Sequence, residues 1–245
     1  MKRAEGWMPE MSLHVESREE KALKMTELLG SWRELKGARV LDVGTGAGVA
    51  AAMLADLVGP QGSVTAVDVR DLRRAREGFD FRLIEGVSLP FPDKSFDIAI
   101  SNLVIEHVGD RDQQLHHLQE MRRVLDDEGC AYVALPNRWA PIEPHFHVPF
   151  LTWLPQRWRT PYIRLTRRAA VYDCFPLSFS EATELFRRAG FGFTEHTWEA
   201  MQVMLRVERT SAVTRLLLKT PQWLFAALHP LVPTFIFRLR PLERR

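Results

Sequence analysis

Three glycines at two-residue spacing, Gly44, Gly46 and Gly48, follow the apolar segment 40–43. Glycine permits the positive φ angles of a tight turn and lets a ligand approach bare backbone. A glycine-rich turn between a buried strand and a helix lies at the edge where doubly wound α/β sheets bind their ligands. The Gly-x-Gly-x-Gly spacing differs from the Gly-x-Gly-x-x-Gly of dinucleotide-binding folds, so the turn predicts a ligand site of another kind.

Two acids next to this turn indicate the charge of its ligand. Asp42 lies in the strand just before Gly44, where a carboxylate would repel a pyrophosphate and attract a sulfonium or ammonium cation. Asp68 ends the next predicted strand, twenty residues after Gly48, and can accept hydrogen bonds from both hydroxyls of a ribose. The glycine spacing and Asp42 disfavour a nicotinamide-dependent oxidoreductase, which shares this type of fold but binds a pyrophosphate.

Three histidines are candidate general bases, because histidine titrates near neutral pH. His107 follows the fourth predicted strand, and His145 and His147 lie in a proline-rich segment further along the chain. Two histidines with Glu143 in such a segment are weak evidence for a metal, so we predict no metal site. The neighbouring pair at 116 and 117 lies in a charged helix and is predicted to be on the surface.

Alternating strand and helix patterns must position these residues. Short apolar or β-branched runs predict strands, and amphipathic or apolar segments between several of them predict helices. The predicted strands are 38–43, 63–69, 81–84, 96–101 and 130–135, and the predicted helices are 17–32, 49–57 and 112–125. Strands joined by crossovers indicate a doubly wound, mostly parallel α/β sheet with helices on both faces.

The regular pattern fails after the fifth strand, which predicts an insertion there. A helix starting at Ser178 then precedes two closing strands, 193–200 and 234–239, which we expect to pair antiparallel and complete seven strands. Apolar helical material lies between them at 210–228. We therefore predict one domain over 1–245, divided into a cofactor-binding core (37–137), a substrate-side insertion (138–176) and a closing region (177–245).

Composition excludes several classes of protein. A formal net charge of +2 over 245 residues does not indicate a nucleic-acid partner, and two cysteines form no disulfide framework. The first sixteen residues lack the apolar run of a secretory signal. Segment 220–237 has no charged side chain, but its three prolines argue against a membrane-spanning helix and leave a peripheral contact open. We predict a cytoplasmic protein with possible peripheral contact at the inner face of the membrane.

Motifs spread over residues 40–108 resemble the class I S-adenosylmethionine-dependent methyltransferases. The glycine turn and Asp68 are followed by Leu-Pro-Phe-Pro-Asp-Lys-Ser-Phe-Asp at 89–97 and Asn-Leu-Val-Ile-Glu-His-Val at 102–108. The order of these motifs is most similar to that in the branch that includes ubiquinone- and menaquinone-biosynthesis enzymes and many small-molecule methyltransferases. The resemblance implies S-adenosyl-L-methionine as the cofactor.

The resemblance also implies a role for individual residues. Asp42 would lie near the ammonium of the cofactor, Asp68 would bind its ribose and Val69 would lie against its adenine. The methionine moiety would be lined by Gly44, Thr45, Gly46, Gly48, Asn102 and Leu103. Many members have Gly-Asp-Ala before the Leu-Pro-Phe, whereas this chain has Glu85, Gly86 and Val87, so Glu85 would take the place of that Asp at the adenine.

The insertion is expected to select the acceptor. Segment 143–155 resembles parts of bacterial methyltransferases that act on sugar, polysaccharide or lipid-linked substrates, and His145 or His107 would be the base. Five arginines interleaved with aromatic residues could contact a phosphate, a lipid head group or RNA: Arg157, Arg159, Arg164, Arg167 and Arg168. We therefore predict methyl transfer to an oxygen of a small, sugar or lipid-linked acceptor. A catalytically silent cofactor-binding partner and an RNA methyltransferase remain alternatives, and the oligomeric state is not predicted.

Overall fold

A computed structural model describes residues 15–207 and 221–242 of the chain. They form a seven-stranded sheet in the order β3-β2-β1-β4-β5-β7-β6. The strands are β1 Arg39–Val43, β2 Ser63–Asp68, β3 Asp80–Leu83, β4 Phe96–Asn102, β5 Leu125–Pro136, β6 Phe191–Glu195 and β7 Thr234–Pro241. The first five pair in parallel, and β7 runs antiparallel to both β5 and β6. This confirms the predicted doubly wound sheet and its antiparallel closing pair.

Helices cover both faces of the sheet, as predicted. They are α1 Val15–Trp32, α2 Val49–Val58, α3 Arg111–Val124, α4 Gln156–Leu165, α5 Phe179–Arg188, α6 Thr197–Val207 and α7 Gln222–Leu228. Apolar side chains of α1, α2 and α6 pack on one face of the strands, and those of α3 and α5 pack on the other. The central parallel strands β1 and β4 are buried on both sides, which explains their largely apolar sequences, whereas the edge strand β3 is mostly exposed.

Two local predictions need correction. The strand predicted at 193–200 ends at Glu195, and α6 begins at Thr197 because Ala200 and Val203 recur at helical spacing and pack into the core beside α1. The helix predicted at 17–32 begins two residues earlier, at Val15. By contrast, Ser178 caps α5 in a reciprocal capping box with Glu181, as its sequence predicts.

The insertion after β5 has its own small core. Phe146, Val148, Leu151, Ile163, Tyr172 and Cys174 are buried together, and α4 supplies Ile163. A backbone hydrogen bond from Phe175 N to Glu106 O, 2.8 Å long, joins the end of the insertion to the turn after β4. The insertion is therefore anchored directly over the carboxyl edge of the parallel strands.

The closing region contains the apolar segment considered above as a membrane contact. Residues 210–220 of the predicted helical segment 210–228 lie outside the described part of the chain, and α7 occupies Gln222–Leu228. Among the helices of residues 15–207 and 221–242, none combines the length and apolar character needed to cross a bilayer.

Candidate functional site

The glycine turn connects β1 to α2 at the carboxyl edge of the sheet. Gly44, Gly46 and Gly48 have φ angles of +73°, +56° and +78°, values that disfavour any residue with a Cβ. The backbone N–H groups of Gly44 and Thr45 donate to Val67 O of β2, at 2.8 and 3.2 Å. A Cβ on Gly44 would lie 2.5 Å from Cγ2 of Val104, so this glycine also lets the turn pack against the residues after β4.

Asp42 and Thr45 present buried oxygens without hydrogen-bond partners beside this turn. Asp42 is 3% exposed, and neither its Oδ2 nor the Oγ1 of Thr45 makes a hydrogen bond in the described part of the chain. Burial raises the pKa of Asp42 to about 6, against a smaller opposing interaction with Thr45. An unpartnered buried carboxylate is costly unless a cation reaches it, so the pair fits the ammonium group of S-adenosylmethionine.

The predicted ribose and adenine residues lie at the ends of β2 and β3. Asp68 Oδ2 accepts a hydrogen bond from Gly46 N at 2.9 Å, which ties the acid to the glycine turn. Val69 is 50% exposed and offers an apolar surface to a ring. Glu85 and Gly86 are exposed while Val87 is buried, so Glu85 has the freedom to reach a ligand and Val87 packs inward.

Asn102 and Leu103 end β4, the strand beside β1. Leu103 has a φ angle of +58°, unusual for a branched residue, and its N–H donates to Ala134 O of β5 at 2.9 Å. This left-handed residue turns the chain sharply out of the sheet. A short 3-10 turn, Ile105–His107, follows immediately.

A cluster of acids and histidines lies at this turn; we call Glu106, His107, Glu143 and His145 the acid–histidine cluster. Nε2 of His145 is 3.2 Å from Glu106 Oε1, and Nε2 of His107 is 3.8 Å from the same oxygen. Nδ1 of His145 is 3.0 Å from Glu143 Oε1. The side chain of Glu106 is fully buried, that of His145 is 10% exposed and that of His107 is 26% exposed, so the cluster opens through His107.

Glu143 shapes the insertion around the cluster. Its Oε2 accepts hydrogen bonds from the backbone N–H groups of His145 and Phe146, at 2.9 and 2.6 Å. The carboxylate therefore fixes the backbone that carries His145 and also binds that side chain. His147 is exposed, with a φ angle of +54°, and its N–H donates to Glu143 O. His147 thus lies outside the cluster, and its catalytic role stays a prediction.

The two clustered histidines have opposite electrostatic surroundings. Burial alone would lower the pKa of His145, but its ion pair with Glu106, its hydrogen bond to Glu143 and the negative charges of both acids raise it to about 10. Burial lowers the pKa of His107, and the charge of His145 lowers it further against the attraction of Glu106. Burial also raises the pKa of the Cys174 thiol, whose Sγ is 3.6 Å from His107 Nδ1.

Two basic residues that were predicted to be on the surface are buried instead. The His117 side chain lies on the buried face of α3, with its Nε2 2.9 Å from Ser101 Oγ. Burial lowers the pKa of His117 to about 4. Helical periodicity explains this position, because Gln114, Leu118 and Met121 are buried with it while His116 is exposed. Arg159 is 4% exposed, and its guanidinium donates to the Leu154 and Thr152 carbonyls. It is therefore not part of an exposed basic patch.

Glu106 is a cluster residue that the sequence alone does not single out, because nothing local indicates a partner thirty-nine positions away. The available signal was its place, four residues after Asn102 at the edge where the ligand was predicted.

Comparisons with known proteins cover mainly the sheet core. A family model described as a methyltransferase domain matches residues 41–133. The ubiquinone/menaquinone biosynthesis C-methyltransferase of Xanthomonas oryzae pv. oryzae is 37% identical over 108 residues, which are 40% of this chain and 42% of that enzyme. The match thus spans less than half of that relative.

Two further similarities extend over more of the chain. The demethylmenaquinone methyltransferase of Listeria welshimeri is 31% identical over 75% of this chain and 80% of that enzyme. The structure of an S-adenosylmethionine-dependent methyltransferase from Mesorhizobium loti aligns at 16% identity over 89% of this chain and 97% of that chain, with a TM-score of 0.60, which shows the shared fold. The family model includes Asp42 and Glu106 and ends before His145.

Proposed function

Since this chain belongs to the class I S-adenosylmethionine-dependent methyltransferases, we propose that it transfers a methyl group to an oxygen of a small, sugar or lipid-linked acceptor. The cofactor supplies a methyl group already activated on a sulfonium, so alignment of the acceptor accounts for much of the catalysis. The chain must then bind two ligands at one edge of the sheet and help the acceptor lose a proton.

The glycine turn is the proposed cofactor site. Asp42 would face the cofactor ammonium, Asp68 its ribose hydroxyls, and Val69 with Glu85 its adenine. The unpartnered buried oxygen of Asp42 supports this assignment, because the chain itself leaves a negative group there without a partner. Gly46 N–H, already bound to Asp68, keeps the turn in place when the ligand enters.

The acid–histidine cluster is the proposed acceptor site, and it is the observation that carries the choice of an oxygen acceptor. It lies just beyond Leu103, one strand over from Asp42, and opens through His107. Two carboxylates and two imidazoles in a buried site can hold a hydroxyl group and take up its proton. The acceptor oxygen would then form a bond to the methyl carbon while the carbon–sulfur bond breaks. The electron pair of the carbon–sulfur bond would stay on sulfur.

Exposed apolar side chains favour an acceptor with a lipid portion. Trp158 and Leu165 of α4 are 55% and 79% exposed, and Trp223 of α7 is 72% exposed. Arg157, Arg164, Arg167 and Arg168 are exposed around α4. Tryptophan and arginine together suit a membrane surface that carries anionic head groups. We propose that these side chains make a peripheral contact with a membrane, from which a lipid-linked acceptor reaches the acid–histidine cluster.

The test is a panel of acceptors with the purified full chain, measured by release of S-adenosylhomocysteine. The panel contains free sugars, polyprenyl-linked sugars, hydroquinones (related to the quinones in the names of the relatives) and transfer RNA. We expect turnover with a hydroxyl acceptor, a loss of about 100-fold or more in His107→Ala at unchanged cofactor affinity, and little change in the exposed control His116→Ala.

Other outcomes would overturn this proposal. Cofactor binding without turnover on any acceptor would favour a catalytically silent partner protein. Turnover only on RNA, with steeply salt-dependent binding, would favour an RNA methyltransferase. Methylation of a hydroquinone carbon would agree with a methyltransferase but would show that the proposed oxygen acceptor is wrong.

A further inference from the structure

We propose that Glu106, His107 and His145 bind a divalent transition-metal ion, and that this ion holds the acceptor oxygen. The three side chains come from two distant parts of the chain: the turn after β4 and the insertion. One ligand atom from each lies within 4.8 Å of the other two. The proposal departs from the sequence-based expectation of no metal site.

The spacing of the three side chains suits a metal ion. Zn²⁺ and similar ions bind imidazole nitrogens and carboxylate oxygens at about 2.0–2.2 Å, which separates neighbouring ligand atoms by roughly 3–3.5 Å. Glu106 Oε1 and His145 Nε2, 3.2 Å apart, have this separation. His107 Nε2, at 3.8 Å from Glu106 Oε1, lies slightly farther out and would close on the ion. His107 is also the most exposed of the three, so it has room to move.

The far side of His145 is engaged in the manner of a metal-ligating histidine. Such histidines usually bind the metal with one ring nitrogen while the other nitrogen contacts a carboxylate or a carbonyl group. His145 directs Nε2 to Glu106 and has Nδ1 3.0 Å from the Glu143 carboxylate. His107 directs Nε2 to Glu106 and has Nδ1 3.6 Å from Cys174 Sγ. Glu143 would thus be the outer partner that orients His145.

Glu106 supplies an independent indication of a cation. Its side chain is fully buried, and neither of its oxygens accepts a hydrogen bond of acceptable geometry, although His145 lies at ion-pair distance. A buried carboxylate is rarely left without hydrogen bonds, and metal coordination is one of the few alternatives. An ion among Glu106, His107 and His145 would satisfy both the charge and the lone pairs.

The donor set indicates which ions fit. Two imidazoles and one carboxylate suit Zn²⁺, Mn²⁺, Fe²⁺ or Co²⁺, whereas Mg²⁺ and Ca²⁺ prefer oxygen ligands throughout. Three protein ligands leave at least one coordination position for water or substrate, as in catalytic sites. Through the opening at His107, an acceptor hydroxyl could occupy that position.

A bound ion would change how the cluster activates the acceptor, and this part of the inference rests on the proposed function. A hydroxyl on a divalent metal ionises more easily, so the O–H bond would break with loss of its proton to solvent. His107 and His145 would then act as ligands, and neither would need to take the proton. Metal binding itself does not depend on the identity of the acceptor.

The experiment uses the full chain with any affinity tag removed, stripped by chelator and titrated with Co²⁺. We would record the visible Co²⁺ absorption, and measure zinc stoichiometry by mass spectrometry after reconstitution. Wild type should bind one equivalent of either metal. Glu106→Gln and His145→Ala should lose at least about 100-fold in Co²⁺ affinity, while the exposed neighbour His147→Ala should match wild type. Thermal melts of each variant would establish that it is folded.

The outcomes separate this inference from the proposed function. No Co²⁺ spectrum in wild type, or equal losses in His147→Ala and His145→Ala, would overturn the metal site. S-adenosylmethionine titrations on the same samples test the cofactor site independently. Metal binding without cofactor binding would reject only the proposed function. Cofactor binding without metal binding would reject only the present inference.

Discussion

Two carboxylates are buried at the carboxyl edge of neighbouring strands, and their surroundings differ. Asp42, near the end of β1, has one oxygen without any hydrogen bond, and burial raises its pKa to about 6. Glu106, just after β4, is even more deeply buried, but two histidines converge on it. Both acids have oxygens without hydrogen bonds, but Asp42 lies beside the glycine turn, whereas Glu106 lies in a cluster with two histidines.

In the proposals above, the two acids bind two different ligands. A lone acid beside a glycine turn suits the cationic cofactor, which arrives and leaves in every catalytic cycle. A carboxylate with imidazoles suits a resident ion and the polar atom of an acceptor. The two regions touch where Gly44 packs against Val104, so the cofactor turn and the turn that carries Glu106 are held at a fixed distance.

The largest effect that would sharpen this division is expected at Asp68. Asp68→Ala removes the acceptor of the Gly46 N–H and the proposed partner of the ribose. Hydrogen bonds to charged groups contribute roughly 1.5–3 kcal/mol each, so calorimetry should show a loss in S-adenosylmethionine affinity of about 100-fold or more. Co²⁺ affinity should stay at the wild-type value. Equal cofactor affinity in the variant and wild type would refute the ribose assignment.

A substitution at Glu143 should have a smaller effect, and it should lower metal affinity rather than cofactor affinity. Loss of the carboxylate that orients a metal-ligating histidine typically weakens metal binding about 10–100-fold. Glu143→Gln should therefore lower Co²⁺ affinity by this factor and leave S-adenosylmethionine affinity unchanged. Glu199→Gln, an acid of α6 near a histidine outside the cluster, is the matched control. A fall in cofactor affinity in Glu143→Gln would mean that the two regions are not separate.

The pH dependence of cofactor binding is the finest of these tests. The ionised form of Asp42 is the proposed partner of the ammonium, so protonation below its pKa of about 6 should weaken binding. Between pH 7.5 and pH 5 the affinity of wild type should fall about tenfold, while Asp42→Asn should bind weakly with little dependence on pH. The unliganded fold should respond in the opposite direction: the raised pKa means that Asp42 favours folding most when protonated, and this contribution is lost as pH rises through 6. A flat wild-type affinity profile would contradict the role of Asp42.

The sequence predicted the elements that carry the proposed cofactor residues, because the determinants of these elements are local. Asp42, Gly44 and Asp68 fall within one strand–turn–helix–strand unit, whose periodicity and glycine spacing are visible in the chain. The acid–histidine cluster needed tertiary structure, since Glu106 meets His145 only when the insertion folds back over β4. The burial of His117 could have been foreseen from its helical spacing with Gln114 and Met121, but the charged neighbours of the histidine pair concealed it. The end of β6 at Glu195 likewise depends on the packing of α6 against α1, so it cannot be predicted from the β-propensity of the local residues.

The most direct test of the separate roles of the two acids is a side-by-side calorimetric titration of S-adenosylmethionine into wild type, Asp42→Asn and Glu106→Gln. The account predicts saturable binding of one equivalent by wild type, a comparable affinity in Glu106→Gln and an affinity at least about tenfold lower in Asp42→Asn. Equal affinities in wild type and Asp42→Asn, or a loss in Glu106→Gln as large as that in Asp42→Asn, would contradict it.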